Sequence, residues 1–557
     1  MTVSLSQKNT VFLILSRVFL FLAFLDLLFL GYCVLTGFPP EVAGLKIRLK
    51  NARTPFIFFF LFMGLSLLSY PGGVEKLKEW KGRILRFASR PYAVWLLFGI
   101  YTLLFTWQQV TEYLALEINF IPFSFYDYML YFFFQGKVNY TGLLHGFYHV
   151  NNILYLLAPF WYFLKSPLLL IGLYGLFGAL AIFPLYGIAR EKFQEPLLSF
   201  VTAFVYLNYR YLQNVLLMNF SVEIFYPLFI FASLYFAMKE KWLGYYCAVL
   251  LGLSVKEDSF MYFAAVGVLV FFIQRRRVHG IVTLCLSLAY LGFLVNLFMP
   301  LTGSDMWRGN LANFAHRGRS FAGIAGSFFA EPASLLEIFF GSPLKWKTYF
   351  NLLYWLGFLP LFSPAVLLVF FPLFPLFLHH TGRDWDFYEL HFHYAAAVIP
   401  FIFIAFIFGY SNITKRLQGR GRELFLWMSC LVLVLINGGR YTSRHFTTED
   451  LKSIQWAKSI PPSANLVTHG HLLPHIGYRK YNYYFAPAWE NEGNEEGEKY
   501  EAYANADYYL IDFNVNPYPV DRTFLEEKLD KLSRNPYYEI VRQDDKRYLF
   551  KRRVFAA

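Results

Sequence analysis

The run LLLIGLYGLFGALAIFPLYGIA at residues 168–189 holds no charged side chain. A helix needs about 20 apolar residues to cross the ~30 Å hydrocarbon core of a bilayer, so this stretch predicts one crossing. Its apolar residues are continuous, whereas the strands of a membrane barrel alternate apolar and polar positions. Runs of the same kind stand at 11–36, 55–70, 92–111, 197–217, 222–238, 243–255, 259–274, 280–301, 349–362, 364–378, 394–410 and 424–438. Together they predict an α-helical polytopic membrane protein with about 13 transmembrane helices. The composition agrees, with 21% aromatic and only 16% charged residues.

The formal net charge of +13 does not argue for nucleic acid, because the basic residues sit where membrane topology calls for them. Lys76, Lys78, Lys81, Arg83, Arg86 and Arg90 share one loop. Arg190 and Lys192, Lys239 and Lys241, Arg275 to Arg277, and Lys415, Arg416, Arg420 and Arg422 occupy others. With a cytoplasmic N-terminus in an inner (plasma) membrane, all of these fall on the cytoplasmic side. Lys46, Arg48, Lys50 and Arg53 break the pattern and put the placement of the first two helices in question. Cys33, Cys247, Cys285 and Cys430 lie in apolar runs and read as small buried hydrophobes rather than a disulfide framework. The first run has no small-residue cleavage site and is expected to be a retained anchor.

Composition changes after Gly439, dividing the chain into a membrane domain at 1–439 and a polar tail at 440–557. The tail predicts helices at 448–459 and 524–533, strands at 465–468 and 507–513, and a hairpin at 538–543 and 547–551, split by Asp544-Asp545. This is the pattern of a small α/β domain. An odd number of crossings from a cytoplasmic start makes it extracytoplasmic. The long loops 112–167 and 302–348 fall on the same side. Within the first, the aromatic stretches 123–134 and 152–164 read as helices lying in the interface, the second with a further crossing as its alternative.

Polar residues at the membrane boundary are the candidates for chemistry. Asp127, within FYDY at 125–128, is a carboxylate among aromatics and a candidate base; a plain interfacial Asp or helix cap is the simpler alternative. Lys256-Glu257-Asp258 places three charges between two apolar runs, costly unless they meet water, a partner or a ligand. Glu223 opens another crossing on the same side. His145 and His149 lie in the first long loop, where a structural role is commoner than ligation. His379, His380, Arg383, Asp384, Asp386, Glu389, His391 and His393 make a loop dense in metal or phosphate ligands, in no standard zinc spacing. No Walker loop, dinucleotide fingerprint or Gly-x-Ser-x-Gly elbow is present, which disfavours nucleotide-powered transport.

At these residues the chain resembles domain-of-unknown-function family 2079 (DUF2079), a group of prokaryotic membrane proteins. The stretches that carry the resemblance are 149–154 with 158–160, AIFPLYGIA at 181–189, 219–223 leading to Pro227-Leu228, Lys256-Glu257-Asp258, His393-Tyr394, 465–475 and 506–512. Lys-Glu-Asp between two apolar runs is the most specific. The chain departs from the family pattern at Ser221 and Val222, where relatives tend to have His and Pro, and at Asn152, where Pro is usual. The resemblance implies a GT-C-like fold, in which an acidic residue of the first outer loop is the base and a lipid-linked sugar enters from the membrane. Asp127 is the matching position.

The expected function is that of a membrane glycosyltransferase, moving a sugar from a polyprenyl-phosphate donor to an acceptor at the extracytoplasmic face. Asp127 is the expected catalytic residue. His149, Glu223, Lys256, Glu257, Asp258, Arg383, His391 and His393 are expected to bind substrate, with a divalent metal such as Mg or Mn as a candidate cofactor. The expected partners are the lipid-linked donor, membrane lipid and an acceptor, with no nucleic acid. Two other classes compete: a transporter or flippase, which calls for midplane charges on broken helices, and a non-enzymatic scaffold displaying the tail.

Overall fold

The computed structural model describes residues 5–37, 41–42, 45–46, 51–118, 123–124, 126–127, 129–130, 150–298, 316–318, 321–378, 387–476, 482–486 and 503–553. It is mostly helical. Among the described residues, five helices are long and apolar enough to cross a membrane: Thr10–Thr36, Pro91–Leu114, Pro167–Phe193, Arg277–Phe298 and Phe392–Thr414. Shorter apolar helices of 10–17 residues pack among them. Proline at the first helical turn starts Pro91–Leu114, Pro167–Leu180 and Pro196–Asn208, where its missing N–H removes no helical bond. Ser166 caps the second of these by accepting from the Leu168 N–H at 3.2 Å.

The helices Pro91–Leu114 and Pro167–Phe193 run antiparallel, with Trp95 against Phe183 (ring centroids 4.4 Å apart) and Thr106 against Gly175. A Cβ on Gly175 would lie 2.5 Å from the Thr106 hydroxyl, so only glycine admits this approach. Large apolar side chains such as Leu103, Phe163, Leu243 and Phe272 stand exposed on the outside, as a lipid-facing surface requires. Cys247 and Cys285 lie on this exposed surface, while Cys33 and Cys430 are buried; the expectation of four buried cysteines holds for two. The reason is that an apolar environment here includes lipid as well as core.

The basic loops gather at one end of the bundle. Ion pairs join them: Lys81 with Glu423, Lys239 with Glu191, Arg276 with Glu240, and Arg422 with Glu195. The amphipathic helix Gly73–Ala88 lies at this end, preceding Pro91. The tail occupies the opposite end, where His445 Nδ1 meets the Thr36 carbonyl oxygen and the Trp107 indole donates to the Val34 carbonyl.

Several expected crossings are interrupted. The run at 197–217 divides into Pro196–Asn208 and Arg210–Leu216, because Tyr209 is extended. The run at 349–362 ends its helix at Tyr354 and turns through Gly357 and Phe358, both with positive φ. The run at 364–378 begins as a 3-10 segment, Pro364–Val369. The helix Leu154–Leu164 has 11 residues, a length of about 16 Å that falls short of a crossing. It exposes Tyr155, Phe160, Tyr162 and Phe163, the habit of an interfacial helix.

The expected tail helices and strands lie close to where the periodicity predicts them, and β4 and the 3-10 segment Gly470–His475 are additions. A two-stranded pair, β1 (Glu41–Val42) with β2 (Leu45–Lys46), stands apart from the tail sheet. The tail sheet comprises β3 (Leu466–Thr468), β4 (Asn482–Tyr484), β5 (Tyr508–Asp512), β6 (Tyr538–Gln543) and β7 (Arg547–Arg552), in the order β4-β3-β5-β7-β6. β3 pairs parallel with β4 and β5, and β7 pairs antiparallel with β5 and β6. Helices Thr448–Lys458 and Arg522–Arg534 complete it. Thr447 and Asp450 form a reciprocal capping box at the start of the first.

Arg547 is buried and ties that helix to the sheet, bonding Asp512 at 3.0 Å, Glu449 at 2.8 Å and Asp544 at 2.8 Å. Removing the cation strands Asp512, which is fully buried. Arg547→Met is therefore expected to destabilise the tail by about 3–5 kcal/mol, visible as faster proteolytic cleavage of the tail in the intact chain. Unchanged cleavage would contradict it.

The tail shares a continuous apolar core with the membrane domain through Leu466, Leu472, Leu473, Leu510 and Leu549. The 3-10 segment Gly470–His475 makes the polar contacts. Tyr113 donates to the Pro474 carbonyl at 3.2 Å, His475 lies over the Tyr113 ring at 3.9 Å, and His471 Nδ1 meets the Ile118 carbonyl oxygen at 3.0 Å. In β5, the Asp512 N–H donates to His469 Nε2 at 2.9 Å. Burial pushes both His469 and His475 down to about 3.

Both imidazoles are therefore neutral in the folded chain, whereas an unfolded histidine takes a proton near pH 6.5. Their contribution is complete above that pH and is lost as pH falls toward 3, by about 1.4 kcal/mol per unit for each. The unfolding midpoint of the purified chain is expected to drop between pH 7 and pH 5, and His475→Phe to flatten that drop. A pH-independent midpoint for the unaltered chain would contradict the assignment.

Candidate functional site

The tail-bearing end of the bundle collects buried polar groups around the turn Val222–Ile224 and the Lys-Glu-Asp turn. Glu223 stands on the 3-10 segment Val222–Ile224 that leads into the helix Phe225–Met238. Lys256 leaves the C-terminal end of the helix Trp242–Leu253. Their side chains form a buried ion pair at 2.6 Å. Ser221 donates to the second Glu223 oxygen, and His393 Nε2 lies 3.5 Å from the first. Ser221 thus supplies a hydrogen bond to the acidic residue two positions on.

The other two charges of the turn have structural partners. Glu257 accepts from the Val150 N–H at 3.1 Å, and the Ile153 N–H donates to the Ser254 carbonyl at 2.8 Å. These bonds fasten the segment after residue 149 to the Lys-Glu-Asp turn. Asp258 accepts from the hydroxyls of Tyr226 at 2.5 Å and Tyr262 at 2.7 Å. A simple solvated turn would not bury Lys256 and Glu257.

Asp127 is buried and accepts from the Trp161 indole N–H at 3.0 Å. It also lies within electrostatic reach of Tyr113. Its neighbour Tyr126 points into the Glu223 cluster: the phenol hydrogen-bonds with Ser221 and shares the fields of Glu223, Lys256 and Glu257. Residues 126 and 127 are helical, and successive helical residues differ by about 100° in direction. One of the two therefore meets the ion pair and the other meets Trp161 and Tyr113.

His391 Nε2 lies 3.5 Å from Glu389, which also pairs with Lys347 at 2.7 Å. His149 and Arg383, with His145, His379, His380, Asp384 and Asp386, lie outside the described residues. Among the described residues no three His, Cys, Asp or Glu side chains converge as a metal-binding group.

A second polar knot escaped the sequence reading. Glu112, buried in the last turns of Pro91–Leu114, accepts from Asn219. Asn219 also donates to Gln109 at 3.1 Å, and Gln109 donates to the Leu216 carbonyl at 2.6 Å. Asn219 has φ +67°, a left-handed conformation that Asn tolerates better than most residues. Tyr174 lies within electrostatic reach of Glu112, Tyr126 and Glu223 together, so knot and ion pair border one region. The signal was present: Gln108, Gln109 and Glu112 interrupt or follow an otherwise apolar run.

The DUF2079 family, described as predicted membrane proteins, matches residues 122–549. The chain belongs to the DUF2079 family. That match spans the Glu223–Lys256 pair and nearly all of the tail sheet, and leaves the four helices up to Leu114 outside it. For this DUF2079 protein, a comparison with curated proteins finds no match. Within the matched span, 465–475 holds the strand β3 and the 3-10 segment that docks the tail, and Lys-Glu-Asp is the turn that holds the buried ion pair.

Proposed function

We propose that this DUF2079 protein is a glycosyltransferase of the inner membrane, using a polyprenyl-phosphate-linked sugar at its extracytoplasmic, tail-bearing end. One observation supports the reading most: a buried Glu223–Lys256 pair with His393 beside it, adjoining the Tyr126-Asp127 step, all at the end that carries the tail. The basic loops at the opposite end favour the cytoplasm for that side.

In this mechanism the acceptor hydroxyl oxygen attacks the anomeric carbon of the donor sugar. The bond from that carbon to the phosphate oxygen breaks, and its electron pair leaves with the polyprenyl phosphate. The hydroxyl proton passes to Asp127, held in place by the Trp161 N–H. Lys256 has further N–H donors beyond the one bound to Glu223, and these face the developing charge on the departing phosphate. His393 is a second cationic candidate. Direct displacement inverts the anomeric centre. The docked tail covers the site and contributes to holding the acceptor.

The test is the lipid-linked sugar profile of cells lacking the protein. Accumulation of one polyprenyl-phosphate sugar, reversed by restoring the gene, is the expected outcome. An unchanged profile would contradict the reading.

A further inference from the structure

A different group of cations stands at the same end of the molecule, without counter-ions among the described residues. The chain reverses after the helix Gly419–Asn437 through Gly439, at φ +72°, so close to the start of Arg53–Ser69 that a Cβ there would lie 2.7 Å from Arg53 Cα. The Ala52 N–H donates to the Tyr441 carbonyl at 2.9 Å. This reversal sets Arg440 over the Trp355 ring at 3.8 Å, with Arg53 5.8 Å from the same ring centroid. Asn437 donates to the Trp355 carbonyl at 2.8 Å, holding the backbone just before the bend at Gly357 and Phe358. Arg210, at the start of the helix Arg210–Leu216, adds its charge to the group.

Among the described residues, none of these three arginines has a carboxylate partner. Arg440 Nε and Nη2 and the Trp355 indole Nε1 are buried donors without an acceptor. Burial and the like charges of Arg53 and Arg210 push the Arg440 guanidinium down to about 10. Stacking on Trp355 offsets part of this cost. It leaves the buried Nε and Nη2 of Arg440 unsatisfied, and buried donors are rarely left so. The group is also in the wrong place for topology, since the other basic loops gather at the opposite end. Arg53 belongs to the one basic segment that broke the charge pattern in the sequence.

We propose that Arg53 and Arg440, flanking Trp355, together with Arg210, whose charge reaches Arg440, bind a phosphate group at the membrane boundary of the tail-bearing end. Guanidinium forks match phosphate oxygens in pairs, and an indole N–H adds a further donor. Either a lipid headgroup or a free phosphate supplies that chemistry. The short helix Arg210–Leu216, about 10 Å long, leads from this site toward Asn219 and Glu223. The proposal stands without the transferase reading, because binding needs no sugar donor.

The test uses the purified full chain in neutral detergent at matched ionic strength. Dihexanoyl phosphatidic acid and inorganic phosphate are titrated separately by calorimetry. Saturable binding of the lipid probe alone assigns a lipid headgroup, and equal binding of both assigns the phosphate group by itself; either result supports the site. Arg440→Gln and Arg210→Gln are each expected to weaken binding roughly tenfold. Arg210 is exposed, so its replacement leaves the fold intact even where Arg440→Gln does not. Arg420→Gln, at the opposite end, is expected to bind as the unaltered chain. Absence of saturable binding by both probes, or Arg210→Gln binding as tightly as the unaltered chain, would overturn the proposal.

Discussion

Asp127→Asn is expected to cut sugar transfer by roughly a hundredfold or more while the protein stays folded. The amide oxygen of Asn still accepts the Trp161 N–H that Asp127 accepts at 3.0 Å, so orientation is retained. What is lost is the capacity to take a proton from the acceptor hydroxyl. The loss is expected in kcat with donor binding largely unchanged, since the carboxylate acts on the reacting atoms and not on the lipid. Near-normal kcat in a folded variant would remove Asp127 as the base. Trp161→Phe separates the roles: it keeps the base but frees its orientation, so a smaller loss is expected.

Lys256→Met is expected to destabilise the chain by about 3–5 kcal/mol, because it leaves Glu223 buried without its cation. His393 at 3.5 Å and the Ser221 hydroxyl recover only part of that loss. Adding Glu223→Gln removes the stranded charge, so the double variant is expected to be more stable than Lys256→Met alone. Thermal unfolding in detergent, with the four proteins compared as a cycle, reads this directly. A double variant less stable than Lys256→Met would show that the two side chains do not act as a pair. Transfer is expected to fail in both, because the cation facing the departing phosphate is gone.

Local pattern was legible where local physics decides structure. The tail strands β3, β5, β6 and β7 and both tail helices follow from alternation, helical period and the Asp544-Asp545 turn. The long apolar helices follow from length and hydropathy alone. The interruptions were not legible in the same way. Tyr209 and Phe358 sit inside apolar runs, and a helix and a broken helix have the same composition there. Of the roughly 13 expected crossings, five among the described residues are single helices long and apolar enough to span by themselves.

The candidate site was legible as a set of residue types and not as an arrangement. Lys256, Glu257 and Glu223 stood out because buried charge is costly in apolar surroundings. That Lys256 pairs with Glu223, whereas Glu257 holds the segment from Val150, depends on contacts distant in sequence. Glu112 and Asn219 were hidden for the same reason: each is ordinary alone and becomes a buried knot only when its helices meet. The arginines around Trp355 were visible only as Arg53's breach of the charge pattern, since Arg210 and Arg440 come from separate helix ends.

The most direct measurement is turnover by the purified chain itself, reconstituted in vesicles with a pool of polyprenyl-phosphate-linked sugars and their candidate acceptors. A reaction centre spanning the Tyr126-Asp127 step, with Asp127 on its Trp161 side and the Glu223–Lys256 pair on its other side, predicts consumption of one donor and release of free polyprenyl phosphate in step with glycosylated acceptor. A donor pool left intact by protein that is folded and correctly inserted would contradict it.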